Sequence, residues 1–135
     1  MEQALFALED FKFTKVNMDL TEIGSDINIE LVPSGCFNRE SKHYNLTFLF
    51  NATKQNESSN FISIECNAVF KFKNVTNFED IPDFFFPNSI AIVFPYVRAF
   101  ISSVTIQANI QPIILPTYNL NSLKDELKQK TTIQN

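Results

Sequence analysis

From Ile62 to Lys73 the chain alternates: Ile62, Ile64, Cys66, Ala68, Phe70 and Phe72 hold one parity, and Ser63, Glu65, Asn67, Lys71 and Lys73 hold the other. A period of two over so long a run fits a half-buried antiparallel strand, with one face in a core and the other in water. Tyr44, Leu46, Phe48, Phe50 and Ala52 share one parity in the same way, and Ile27, Ile29 and Leu31 alternate with Asn28 and Glu30. Phe11 and Phe13 alternate with charged neighbours in a further run near the N-terminus. Turn-like segments separate these runs: Gly24-Ser25-Asp26, Pro33-Ser34-Gly35 and the polar stretch from Lys54 to Asn60. The pattern predicts a four-stranded antiparallel meander.

From Asp80 the period changes. Ile90, Val93, Phe94, Val97, Ile101, Val104 and Thr105 follow helical spacing, which predicts a long helix starting near Pro87-Asn88-Ser89. Its other side carries Ala91, Ile92, Phe100 and Ile106, so no face is polar. A helix apolar nearly all round has to be covered on two sides, and the sheet supplies only one. A second copy of the same helix across a symmetry axis is the most economical second cover. Ala91, Ile92 and Phe100 are therefore expected at an interface between copies, in a dimer or a tetramer. Pro95 removes one intrahelical bond and predicts a kink. Arg98, the lone charge in the run, either meets a buried acceptor or lies solvated at the helix surface. Asn109 substitutes for the glycine that a helix stop favours. Pro112 and Pro116 then hold Ile113-Ile114-Leu115 extended. Asn119 caps a short second helix striped by Leu120, Leu123 and Leu127. Loop and short helix together are expected to flank a groove, in an α+β domain spanning 1–135.

Composition narrows the function classes. A net charge of −4 argues against a nucleic-acid surface. Fifteen Phe and two Gly in 135 residues supply either a Phe-filled core or rings for an apolar ligand groove. The N-terminus lacks a basic segment ahead of an apolar run. The longest uncharged stretch, Phe84 to Val97, is short of the roughly 20 residues a bilayer span needs. The expectation is a cytoplasmic protein without membrane insertion. Cys36 and Cys66 are expected as reduced thiols, and the sequons at Asn45, Asn51, Asn56 and Asn74 as chance. His43 is the single histidine, and no phosphate-cradling glycine loop exists. Glu79, Asp80 and Asp83 form an acidic loop rather than an acid/base pair. No catalytic residue, metal or cofactor is expected.

Two segments carry a resemblance. Phe94-Pro95-Tyr96-Val97-Arg98, followed by the stretch from Pro112 to Leu123, resembles the C-terminal half of the SecB protein-export chaperone family. That family has a Phe-Pro-Tyr-Ala-Arg-type motif on its long helix. A Pro-rich connection then leads to an Asn-Phe-Asp-Ala-Leu-type helix start, echoed by Asn119-Leu120-Asn121-Ser122-Leu123. The resemblance implies protomers paired edge to edge and dimers stacked through the long helices. It implies that unfolded or nascent polypeptides are held in a groove, placed here at Phe11, Phe13, Ile113, Ile114, Leu115, Tyr118, Leu120 and Leu123. It also implies an acidic outer sheet face that docks a SecA-type motor, for which Glu30 and Glu65 are the candidates, with Glu22 and Asp26 near. The chain departs from the family in Gln107-Ala108-Asn109, in Asn67-Ala68 and in the lysines Lys71 and Lys73 on the polar parity. These departures weigh against motor docking more than against chain binding, and a toxin–antitoxin pair is the other partner class that the resemblance implies. The alternative is an oligomeric scaffold without clients. Lipid binding in the sheet–helix cleft ranks lower, because the helix fills that cleft.

Overall fold

The computed structural model describes residues 5–21, 23, 26–116 and 118–135. Strands β1 (Phe6–Met18), β2 (Ile27–Asn38), β3 (His43–Lys54) and β4 (Asn60–Phe72) precede the helix α1 (Phe85–Gln107); a 3-10 turn (Leu120–Leu123), α2 (Lys124–Gln129) and β5 (Thr131–Gln134) follow. The α+β class holds, but the sheet is five-stranded and mixed, in the order β1-β4-β3-β2-β5. This corrects the meander in two places. Hairpins join β2, β3 and β4, whereas β1 pairs antiparallel with β4, and β5 lies parallel to β2.

The first correction has a geometric cause. Met18 at the end of β1 pairs with Ile62, and Ile27 at the start of β2 pairs with Lys54. Both points lie at the end of the sheet where the β3–β4 hairpin turns. The chain between them therefore crosses that hairpin instead of doubling back. Asp19 N–H donates to Phe61 O at 2.8 Å, Lys54 Nζ to Thr21 O at 2.9 Å and Gln55 N–H to Asp26 O at 3.2 Å. The expected turn at Gly24-Ser25 and the carboxylate of Glu22 lie outside the described residues.

In β1, apolar residues fall at Phe6 and Leu8, Phe11 and Phe13, then Val16 and Met18. The extra residue in each gap is a bulge, and the register with β4 shifts at Leu8/Asp10 and again at Phe13/Lys15. Each bulge restores the apolar parity to the face that β4 buries, at the cost of two ladder interruptions. On β2, Pro33 sits opposite Phe48. Gly35 N–H donates to Lys130 O at 3.2 Å and Arg39 N–H to Gln134 O at 2.9 Å, so this parity of β2 points its amides off the edge of the four-stranded core. Pro33 shares that parity, where a missing N–H costs the β2–β3 ladder nothing.

Helix α1 lies across the sheet with Phe85, Ile90, Val93, Phe94, Val97 and Ile101 buried. It begins two residues before the expected start. Phe85 is the hub: its ring meets Phe6 at 4.9 Å, Tyr44 at 4.8 Å and Phe72 at 4.7 Å. The helix is long and apolar enough to cross a membrane by length and composition, but this face is committed to the sheet. Asn109 ends the helix with φ 62°, in the left-handed conformation expected of a residue that substitutes for glycine at a helix stop.

Strand β5 is anchored through a glycine. A Cβ on Gly35 would collide with the Tyr44 hydroxyl, so the Tyr44 ring lies over Gly35 and reaches Thr131 Oγ1 at 2.6 Å. Thr131 in turn donates to Leu127 O at 2.7 Å, tying β5 to the end of α2.

Candidate functional site

The last turn of α1 fixes the loop that follows it. Thr105 is fully buried. Its hydroxyl accepts the Ile113 N–H at 3.0 Å and lies 3.0 Å from the carbonyls of Ile101 and Ser102. Ser102 Oγ donates to Ile113 O at 2.9 Å. Both backbone groups of Ile113 are thus satisfied by side chains of the helix, which holds the loop extended without a strand partner. Leu115 then turns into the core at 2% exposure while Ile114 stands out at 77%.

This loop forms one wall of a 630 Å³ cleft, with Tyr118 at its end. The opposite wall is Leu20 and Ile23 of the crossover together with Ile27 and Ile29 of β2. Sequence reasoning placed Ile113, Ile114, Leu115 and Tyr118 at a groove but missed Leu20 and Ile23. Two aliphatic residues in an otherwise polar connection were the available signal. Burial pushes the Tyr118 phenol above its usual pKa, and its ring meets Phe94 edge-on at 5.6 Å. Tyr118 also lines a second groove of 400 Å³, with Leu120 and Asn121 facing Ala91, Pro95 and Arg98 of α1. Arg98 is half-buried at that groove. Leu123 is half-buried against the core rather than in either groove.

Phe11 and Phe13 lie elsewhere. β1 and β2 are separated by β4 and β3, so these rings cannot share a groove with the loop within one protomer. Phe11 stacks on Tyr96 at 4.6 Å and Phe13 lies on Phe100 at 4.4 Å. Phe100 is accordingly half-covered, whereas Ala91, Ile92, Tyr96 (48%) and Ile106 (59%) are exposed on the outer side of α1. That exposed face is the one for which two-sided cover was expected.

Glu30 and Glu65 are on the outer sheet face, and both are engaged there. Glu30 accepts from Asn51 Nδ2 at 3.3 Å, Asn51 Oδ1 accepts from Ser63 Oγ at 2.9 Å, and Glu65 accepts from Thr14 Oγ1 at 2.8 Å. The face is a ladder of amides, hydroxyls and mixed charges rather than an acidic patch. His43 bonds Glu9 at 2.8 Å. Both cysteines are free, and burial pushes the Cys66 thiol up to about 12.

Comparison with known proteins gives three findings. The family model described as preprotein translocase subunit SecB matches residues 15–131. A SecB-like chaperone of Mycobacterium tuberculosis, solved in complex with a peptide from an antitoxin, superposes with a TM-score of 0.67 at 12% identity, covering 84% of this chain and 88% of that one. At that identity the likeness is one of fold. An uncharacterized protein of Methanocaldococcus jannaschii is 50% identical over 48 residues, 33% of this chain and 31% of its own length. The chain thus spans about a third of that curated relative.

Proposed function

The match over residues 15–131 makes this chain a member of the SecB family, and on that premise we propose that it is a chaperone holding extended segments of non-native polypeptide in the cleft between the Ile110–Pro116 loop and the start of β2. The observation that carries this reading is the cleft's lining: isoleucines and leucines on both walls, with Gln111 and Tyr118 beside them and Ile114 exposed at 77%. A side chain of that size left in water is covered when an apolar segment enters. A non-native chain offers such side chains at alternate positions, together with unpaired backbone groups. Affinity then accumulates at about 25 cal/mol per Å² of apolar area along the segment, so single substitutions weaken it only in part.

Clients of the antitoxin class fit the same chemistry, given the antitoxin peptide bound by the SecB-like chaperone of M. tuberculosis. Phe11 and Phe13 serve this reading indirectly, by holding Tyr96 and Phe100 in place. Self-assembly as a dimer or tetramer uses the exposed face of α1 at Ala91, Ile92 and Tyr96. Glu30 and Glu65 would serve a SecA-type motor only if it docked onto a polar ladder of mixed charge. The protein acts in the cytosol, without turnover of any substrate.

A second reading, an oligomeric scaffold without clients, is favoured by that same α1 face, which a partner copy would cover. Aggregation suppression with a slow-folding client separates the two. The parent protects the client, and Ile114→Asp combined with Leu120→Asp abolishes protection while light scattering shows the oligomer unchanged. A parent that protects nothing, or a double variant that protects fully, leaves the scaffold.

A further inference from the structure

The outer edge of β2 is divided. From Gly35 to Asn38 it is paired with β5. Toward its start, Ile27 and Ile29 border the cleft, and no strand pairs with that stretch among the described residues. Pro33 lies between the two stretches on the outward-pointing parity, and having no N–H it cannot extend the β5 ladder. A polypeptide seated in the cleft along the start of β2 therefore runs directly toward Lys130 and Thr131. It must turn away from the sheet there or take the place of β5.

β5 is built to yield. It is four residues long, and Thr132, Ile133 and Gln134 are exposed. Among the described residues its hydrogen bond to a buried side chain is the one between Thr131 and Tyr44, beside a bond from Thr131 to Leu127 O. A short edge strand with exposed side chains belongs at the low end of local stability. The edge it covers, by contrast, presents the backbone groups that an extended client could pair with. We propose that β5 is an exchangeable strand: it occupies Gly35–Asn38 of β2 in the client-free chain and is displaced by a client that enters the cleft, so that the track lengthens from the cleft along β2. This rests on the cleft being the client site.

A disulfide lock tests it. Cys36 pairs with Thr132 in the parallel register. Strand neighbours lie about 4.8 Å apart, within the roughly 4.4–6.8 Å Cα separation that a disulfide spans. Thr132→Cys should therefore cross-link β5 to β2 on oxidation. Cys66, buried and with its thiol pushed up to about 12, stays out of the reaction. The probe is reduced, carboxymethylated α-lactalbumin, which stays unfolded and has no free thiol.

The reduced variant should bind like the parent and the oxidised one about five-fold weaker or worse. A chain ending at Lys130 should bind about three- to ten-fold tighter than the parent, because the fraction of chains with β5 docked no longer reduces the apparent affinity. Equal binding in both redox states overturns the exchange and leaves the cleft reading intact. Failure to cross-link overturns the docking of β5 on which the exchange depends. Absence of binding in the parent, in both redox states and in the shortened chain overturns the chaperone reading and the exchange together.

Discussion

Among the described residues no strand covers the outer edge of β1, whereas the outer edge of β2 is shared between β5 and the apolar cleft. The side chains show the opposite contrast. β1 has turned its rings inward, Phe11 onto Tyr96 and Phe13 onto Phe100, and presents Asp10, Lys12 and Lys15 to water. β2 has kept part of its backbone covered and lines an open cleft with Ile27 and Ile29. A partner that binds by main-chain pairing suits β1, and one that binds by burying side chains suits the start of β2. The two edges of one sheet thus offer two different kinds of recognition.

The strongest test of this contrast is to remove what joins the edges. Phe85 touches Phe6 of β1 and Tyr44, which holds β5. Phe85→Ala should cost about 3–5 kcal/mol in urea unfolding and lower amide protection at both edges in hydrogen exchange. Loss at one edge alone would mean that the two are separate cooperative units. Alkali acts next. Burial raises the Cys66 thiol from 9.0 to about 12, so in that window the unfolded chain has lost a proton that the folded chain keeps. Fewer protons bound in the unfolded state means that stability falls as pH rises from about 9 towards 12. The Tyr44 phenol, also raised by burial, acts in the same direction from pH 10.0 upward. Cys66→Ala should flatten the decline measured by denaturant unfolding between these limits.

Gly35→Val separates the edges. Its side chain needs the space of the Tyr44 hydroxyl, and overpacking of this kind costs about 1–3 kcal/mol. Amide protection at Thr131–Gln134 should vanish while β1 keeps its own; equal loss at β1 would make Tyr44 a property of the whole core. Phe11→Ala acts at one edge alone, removing two aromatic pairs, with Tyr96 and with Phe13, at about 0.5–1.5 kcal/mol each. It should loosen β1 and the Tyr96 turn of α1 without changing client affinity at the cleft.

β3, β4 and the helix were legible because each keeps its period over many residues, whereas β2 was legible only to Leu31: Pro33-Ser34-Gly35, read as a turn, lies inside the strand. The order of the strands was not legible. A connection crossing a hairpin and one turning back look alike in sequence, since both are short and polar. β1 was half legible: Phe11 and Phe13 stand out, but the bulges hide Phe6, Leu8, Val16 and Met18 behind a spacing of two and three. β5 gave no signal, because Thr131-Thr132-Ile133-Gln134 lacks alternation and is held by Tyr44 from another strand. Of the site, the loop was legible through its prolines, while Leu20 and Ile23 become a wall only once the crossover path is known.

Pro33 has a consequence for the protein's behaviour in a crowded solution. A chain that exposes isoleucines beside a strand edge has the makings of a template for cross-β growth, in which a second copy adds as a strand and a third follows. A proline on the outward parity interrupts that repeat, because no in-register stack can form a continuous ladder through a residue without an N–H. Placed between cleft and β5, Pro33 divides the outward ladder of β2 into two short stretches, so a second copy could not add as a strand along the whole edge.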